Sequence, residues 1–408
     1  DLHTAKDGED LAEYLTKLFA ALDQKDKTDL PQYLNSFPYV NGSLFSQDCI
    51  IPVLSREVRN LIIESGELNW ASINPDILGS MMQAVVDNTD RAEIGMHYTS
   101  ITNILKVIEP LFLKGLYDKL EKADRNERKL SSLLDQMYKI KIFDPACGSG
   151  NFLVVAYKEL CKLEIEIFKK LQDINPNKWS IASSGIRLNQ FYGIEIDSFA
   201  QKTSELSLWL AQHQMNLLFK EVFGELKPTL PLEDSGIIIC ANATRIEWNK
   251  VCPKDPGFHI YVVGNPPYAG SSVQTKDQKK DMETVFEGYK NFKSLDYVSC
   301  WLLLACEYIE NTKHQCGLVT TNSVTQGQQV ANLWTALFKI NIEIYYAYQS
   351  FKWQNSAKNK AVVSCVILGL RAVSKGDKFL FDEMGFKITK NINPYLLSGP
   401  NVLVAKQS

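Results

Sequence analysis

Lys141-Ile142-Phe143-Asp144-Pro145-Ala146-Cys147-Gly148-Ser149-Gly150-Asn151-Phe152 joins a short apolar run to a helix through a glycine turn. From Phe152 to Gln172 the apolar residues fall at helical spacing. A strand that enters a helix in this way is the first unit of a doubly wound sheet, where ligands sit at the carboxyl ends of the strands. Gly148 and Gly150 allow a sharp turn and a close ligand approach with no Cβ in the way. The loop is no phosphate cradle, because Gly-Lys-Ser/Thr is missing, and it lacks the third glycine of Gly-x-Gly-x-x-Gly. A turn with incidental glycines would account for the glycines, but not for the whole of Asp-Pro-Ala-Cys-Gly-Ser-Gly.

Outward from this loop, β-branched runs alternate with helical segments. The runs are Lys141 to Phe143, Phe191 to Ile196, Ile237 to Cys240, His259 to Val263, Gly317 to Thr321, Ile342 to Ala347 and Ala361 to Leu368. Alternation of this kind predicts a mostly parallel α/β sheet covered on both faces. The last two runs are joined by a polar segment too short for a crossover helix, so an antiparallel hairpin at the sheet edge is expected. Residues 1 to about 130 read as helical, with apolar spacing in Leu11 to Phe19, Ile73 to Val85 and Ile101 to Leu120. Gln274 to Lys280 is polar and charged and reads as an exposed loop. No internal repeat is present.

Two further strand ends carry polar side chains. Glu195 closes the strand after the glycine loop, where a carboxylate can accept from both hydroxyls of a ribose. Asn242 follows Ile237 to Cys240, and its amide can pair with the edge of an adenine ring. An exposed acidic residue and a turn-forming Asn are the plainer readings of these two positions.

Val263-Gly264-Asn265-Pro266-Pro267-Tyr268 closes another strand. The prolines stiffen the backbone and remove two amide donors. The Asn265 side-chain oxygen and the Pro266 carbonyl can then accept both hydrogens of a planar amino group, and Tyr268 can stack on its ring. Such a site works by positioning and polarisation and needs no general base. The plainer reading is a Pro-rich turn.

The bulk numbers are those of a globular chain: 408 residues, 45% hydrophobic, 22% charged, net charge −3. That charge gives no overall attraction for a polyanion, so any basic surface must be local or lie elsewhere. No apolar run reaches the roughly 20 residues needed to span a bilayer, and no signal peptide opens the chain. The chain begins at Asp1 without an initiator Met and reads as a fragment of a longer protein. Nine cysteines lie at irregular spacing without a Cys-x-x-Cys pair, and the histidines at 3, 97, 213, 259 and 314 do not cluster. No metal site is indicated. The cysteines read as reduced, mostly buried thiols of a cytoplasmic protein.

Asp144-Pro-Ala-Cys-Gly-Ser-Gly150 and Asn265-Pro-Pro-Tyr268 resemble the cofactor and catalytic motifs of amino-methylating DNA methyltransferases. Gly95-Met96-His97-Tyr98-Thr99-Ser100 resembles their Gly-x-x-Tyr-Thr-Pro motif, with Ser100 in place of proline. The motif order is that of the gamma class, which methylates adenine N6. Phe37-Pro-Tyr-Val-Asn-Gly42, Asn322-Ser-Val-Thr-Gln-Gly327 and Phe351-Lys352-Trp353 extend the likeness, from about residue 10 onward, to the MmeI-like (type IIL) restriction-modification enzymes.

The resemblance implies the class I methyltransferase fold: a seven-stranded, mostly parallel sheet with an antiparallel terminal hairpin, preceded by an α-helical domain. It implies a helical connector over 1–90 and a catalytic domain over 91–408. S-adenosyl-L-methionine is the implied cofactor, held by Tyr98, Thr99, Asp144, Ala146, Gly148, Gly150, Asn151, Phe152, Glu195, Ile196, Asn242 and Asn265. Asn265, Pro266, Pro267 and Tyr268 are the implied catalytic segment. Tyr268 and Phe351 would stack on an extruded base; a core aromatic is the plainer reading of Phe351. Double-stranded DNA is the implied partner, with nuclease and target-recognition domains outside this chain and no membrane.

Three other readings remain open. Glutamine methyltransferases also use Asn-Pro-Pro-Tyr, but lack the Tyr98-Thr99 motif, the helical region and the Phe351 segment. N4-cytosine methylation uses the same amino-group chemistry, usually with Ser at the Asn265 position. A non-catalytic DNA-binding subunit would have no physical reason to keep two prolines after an exposed Asn.

Overall fold

The computed structural model describes residues 4–37, 39, 45, 50–70, 99–176, 184–224, 236–353 and 363–404. Helix α1 (Leu11–Leu22) and α2 (Arg56–Glu67) precede the central sheet, and Ser55 caps α2 by accepting from the Val58 amide. Ile73 to Val85 lies outside the described residues. α3 (Ile101–Ile108) continues through a π turn at Glu109–Leu113 into α4 (Lys114–Ala123). Pro110 sits in that turn, where its missing amide hydrogen breaks the regular ladder. α5 (Glu127–Met137), capped by Asn126, delivers the chain to β1 (Ile140–Asp144).

From there the alternation expected above is found. α6 (Asn151–Ile174) leads to β2 (Phe191–Glu195), and α7 (Ser198–Phe223) to β3 (Ile237–Cys240). β4 (His259–Gly264) is followed by α8 (Lys276–Val285) and α9 (Ser299–Ile309), then β5 (Gln315–Thr321) and α10 (Gly327–Lys339). β6 (Ile342–Trp353) and β7 (Val363–Ala372) form the antiparallel hairpin. The sheet order is β3-β2-β1-β4-β5-β7-β6, extended by β8 (Lys378–Asp382) and β9 (Gly385–Thr389). β1 to β5 pair in parallel, and β7 runs antiparallel to both β5 and β6.

All seven expected strands are present, but the hairpin is not the sheet edge. β8 pairs in parallel with β6, and β9 closes a second hairpin on β8. The cause is the apolar, outward side of a long β6. Tyr348 stacks on Phe381 with ring centroids 4.4 Å apart, and Phe379 and Phe381 both contact Phe386. The alternating runs Lys378-Phe379-Leu380-Phe381-Asp382 and Gly385 to Thr389, on either side of a short turn, carried that signal.

Helices cover both faces. One core packs α3 to α7 against β1, β2 and β6; the other packs α8 to α10 and the turn Trp248–Val251 against β1, β4, β5 and β7. Burial on both sides is why β1, β2 and β4 read as continuous apolar runs. Tyr346 occupies a slot in the sheet that only glycines leave open. A Cβ on Gly369 would fall 2.0 Å from its ring, and one on Gly317 would fall 2.4 Å from its hydroxyl. That hydroxyl donates to the Val107 carbonyl at 2.8 Å, which ties α3 to the sheet. Among the described residues the cysteines are unpaired, and all but Cys240 are buried. No described helix is long and apolar enough to cross a membrane.

Candidate active site

The sheet order reverses between β1 and β4, and a cavity of about 750 Å³ opens over the carboxyl ends of β1 to β4. Its walls include Thr99, Asp144, Ala146, Gly148, Asn151, Phe152, Glu195, Ile196, Asn242, Asn265 and Pro267. Sequence reasoning singled out every one of these. Tyr98 lies outside the described residues.

The glycine loop is held from below and from the side. Cys147 N–H donates to the Ile194 carbonyl at 3.0 Å, and Gly150 N–H to the Cys147 carbonyl at 2.8 Å. Trp301 on α9 donates its indole N–H to the Pro145 carbonyl at 3.1 Å. The two glycines do different work. Gly148 (φ +55°) has nothing within 4 Å of where a Cβ would be, so it faces open space. Gly150 (φ +83°) does not line the cavity. Its hypothetical Cβ would lie 2.5 Å from Ser204 Oγ and 3.2 Å from Ser204 Cα on α7. The close approach expected there toward a ligand is instead an approach to a helix.

Asp144 is 1% exposed and accepts from the Ala146 amide at 3.0 Å. Burial pushes its carboxyl up to about 8, the Ala146 amide opposes this, and Glu195 adds to it. Glu195 is also raised by burial, against the amides of Asp197, Gly148 and Ile196. Its Oε2 accepts from Gly148 N–H at 2.8 Å and its Oε1 from Asp197 N–H at 3.0 Å. Each oxygen keeps a lone pair for a further donor.

Asn242 is built in differently from the expectation. Its Oδ1 accepts from Thr244 N–H at 2.9 Å and Thr244 Oγ1 at 2.7 Å, and its Nδ2 donates to Asp281 at 3.1 Å. Both ends of the amide are therefore engaged within the protein, as in the turn-forming reading. Asp281, 2% exposed, also accepts from Arg245 Nε at 2.6 Å and from the Tyr297 hydroxyl at 2.7 Å.

Asp281 belongs to α8, which begins inside the segment expected to be a loop. Thr275 and Gln278 form a reciprocal capping box, at 3.2 and 3.0 Å, and Thr275, Asp277 and Gln278 line the cavity. The Thr-x-x-Gln spacing was the available signal. The polar composition outweighed it because α8 is an amphipathic helix with few apolar residues. Arg245, Tyr297 and Trp301 also line the cavity and carry no sequence signature.

At the other end, Gly264 brings the Asn265 to Tyr268 segment against the loop after β1: a Cβ there would sit 2.6 Å from Asp144 Oδ1. Asn265 Nδ2 donates to Thr99 Oγ1 at 3.3 Å, across 166 residues of chain. Asn265 Oδ1 is buried and has no hydrogen-bond partner among the described residues. Pro266 is buried, and Tyr268 is half-buried and packs against the α8–α10 core. Burial raises the Tyr268 phenol, with smaller upward contributions from Cys365 and Asp296. Phe351 pairs with Cys365 across the β6–β7 hairpin, and Lys106 Nζ lies 4.5 Å from its ring centroid. Neither Tyr268 nor Phe351 lines the cavity itself.

A family model described as the MmeI DNA-methyltransferase domain matches residues 120–382, which is most of the chain. This chain belongs to that family. A second model, the MmeI helicase spacer domain, matches residues 1–45. DNA methyltransferase A of Bacillus subtilis (strain 168) is 49% identical over 408 residues, covering 99% of this chain and 46% of that protein. The type II restriction enzyme and methyltransferase RM.Eco57I of Escherichia coli is 24% identical over 328 residues, covering 70% of this chain and 31% of that protein. Among solved structures, the type IIL restriction-modification enzyme MmeI in complex with DNA superposes with a TM-score of 0.91 at 38% identity. That match covers 99% of this chain and 55% of the MmeI chain, so this chain spans about half the length of MmeI and of the B. subtilis relative. The MmeI-type cavity thus combines three buried carboxylates, those of Asp144, Glu195 and Asp281, with a glycine facing open space and an orphan amide oxygen.

Proposed function

We propose that this chain is the catalytic core of a DNA methyltransferase that moves a methyl group from S-adenosylmethionine to N6 of an adenine turned out of the duplex. The observation that carries the reading is Asn265 Oδ1, a buried acceptor with no partner among the described residues, while the same amide donates to Thr99. A buried polar atom left unpaired costs about 1–3 kcal/mol. A planar amino group supplies the missing donor, and the Pro266 carbonyl, which accepts from no group among the described residues, takes its second hydrogen. Accepting both hydrogens draws the nitrogen lone pair out of conjugation and turns it toward the cofactor end of the cavity.

The residues present fit S-adenosylmethionine. Glu195 keeps acceptor capacity for the ribose hydroxyls, and Gly148 leaves the space that a Cβ would fill. Asp144 offers a carboxyl to a cation, and Thr99 closes the cavity beside Asn265. When bound, the sulfonium supplies the electrophilic methyl carbon. Asn242 contributes through the turn that it builds and not through a free amide edge. Tyr268 supports one face of the extruded base, and Phe351, beside Cys365, the other.

DNA as substrate is supported by the likeness to DNA-bound MmeI, and adenine over cytosine by the order of the Thr99, Asp144 and Asn265 motifs. Residues 1–90 act as a helical connector, and 91–408 as the catalytic domain of a bacterial cytoplasmic restriction-modification enzyme. The net charge of −3 supports a reading in which most of the grip on DNA comes from other parts of the complete protein. Calorimetry should show S-adenosylmethionine binding that Asp144→Ala and Gly148→Asp abolish; unchanged affinity in both would overturn the cofactor assignment. Asn265→Ala in the complete protein should bind the cofactor and fail to methylate DNA. Nucleoside mass spectrometry of the product should find N6-methyladenine, and N4-methylcytosine would redirect the base assignment.

A further inference from the structure

We propose that Asp296 is a positioning residue for methyl transfer, holding Ala269 and through it the Tyr268 ring against which the target base is to stack. The inference rests on reading Asn265 to Tyr268 as the transfer segment. Asp296 lies in the loop before α9, carries no recognisable motif and is 4% exposed. Its Oδ1 accepts from Ala269 N–H at 3.0 Å and from Val298 N–H at 3.3 Å. Its Oδ2 accepts from the hydroxyls of Thr321 at 3.1 Å and Ser323 at 3.3 Å. One buried carboxylate therefore ties together the residue after Tyr268, the approach to α9, the last residue of β5 and the turn beyond it.

The other side of Ala269 is caught as well. Its carbonyl accepts from Tyr297 N–H at 3.0 Å and from Gln274 Nε2 at 3.0 Å, and Gln274 also donates to the Leu295 carbonyl at 2.9 Å. Ala269 thus has neither backbone group free to shift. Pro266 and Pro267 stiffen the segment before Tyr268, and the Asp296–Gln274 clasp stiffens it immediately after. A stacking ring needs such a frame, because stacking fixes a base only as well as the backbone fixes the ring.

The test uses the complete protein, tritiated S-adenosylmethionine and unmethylated double-stranded DNA. Asp296→Ala should lower kcat for transfer about a hundredfold, as displacement of an aligned group does, with cofactor affinity held within about twofold. Asp296→Asn should recover most of the rate, because its carbonyl oxygen still accepts from Ala269 N–H. On a Tyr268→Ala background, Asp296→Ala should cost less than about threefold further, the non-additivity expected of groups that act as a unit. An equal loss on both backgrounds, or no recovery with Asn, would overturn the proposal. Should Asp296→Ala not fold, Gln274→Leu removes one hold on the Ala269 carbonyl and is judged by the same comparison. A failure of the underlying reading looks different: Asn265→Ala would then keep transferring methyl groups, whatever Asp296 does.

Discussion

Replacing the two loop glycines one at a time separates the part of the cofactor loop that contacts a ligand from the part that contacts the fold. Both residues have left-handed backbone angles, φ +55° at Gly148 and +83° at Gly150. Forcing an alanine into that region costs about 1–2 kcal/mol at either position. Only Gly150 adds a collision, since its new Cβ would lie 2.5 Å from Ser204 Oγ and 3.2 Å from Ser204 Cα. Overpacking of that kind costs about 1–3 kcal/mol, so Gly150→Ala should lose about 2–5 kcal/mol in all. Gly148→Ala should lose only the first part and should weaken S-adenosylmethionine binding, because its methyl group enters the cavity. Urea unfolding of the ligand-free protein measures the first quantity and calorimetry the second. Ser204→Ala removes the atom nearest the collision and should restore at least about 1 kcal/mol to Gly150→Ala, a coupling that distant sites do not show. Equal unfolding midpoints for the two alanine variants, or an unchanged cofactor affinity in Gly148→Ala, would refute the division of roles.

Asp144 gives a pH dependence with a defined sign. Its carboxyl stands at about 8 when folded, against about 3.9 in an unfolded chain, so the folded state holds the proton over that interval. The resulting stability is complete below the unfolded value and is lost as pH rises through the folded one. Ligand-free protein should therefore lose stability between about pH 4 and about pH 8, and Asp144→Asn should flatten that slope. A cationic ligand favours the ionised form, so cofactor binding near pH 7 should release a proton, and the measured enthalpy should vary with the ionisation enthalpy of the buffer. Gly369→Ala tests the sheet: with a Cβ 2.0 Å from the Tyr346 ring, it should cost about 3 kcal/mol or more in urea unfolding. Tyr346→Phe should cost only about 1 kcal/mol for the lost bond to the Val107 carbonyl.

The parts legible in the sequence were those written in short, local chemistry. The seven strands could be read because each is a short apolar, mostly β-branched run, most of them buried on both faces, and the parallel order of β1 to β5 followed from the helices between them. Asp144, Gly148, Glu195, Thr99 and Asn265 converge on one cavity because each closes a strand or opens a helix at the same end of the sheet. The β8–β9 hairpin was missed because the antiparallel β6–β7 pair reads as the sheet edge, while the stacking of Tyr348 on Phe381 is a long-range contact. Asn242 was assigned a ligand-facing amide because composition cannot say which of two possible partners takes it. Thr244 and Asp281 do so, and Asp281 lies 39 residues away on a helix whose sequence reads as a loop.

That helix shows why residues contacting a ligand are easier to find than those that hold them. The segment from Asn265 to Val298 contains the orphan amide oxygen at its start, Asp281 in its middle and Asp296 near its end. Asp281 reaches the Asn242 and Arg245 turn after β3, while Asp296 reaches Ala269 after β4. Each carboxylate is buried and takes most of its donors from distant parts of the chain, so a local motif records little of either. Their burial is affordable only because those donors converge: stripped of them, a carboxylate in this interior would be costly to keep charged. Two buried acidic side chains thus tie one stretch of polypeptide to the turn after β3 at one end and to the segment after β4 at the other, contacts that only the folded chain brings together.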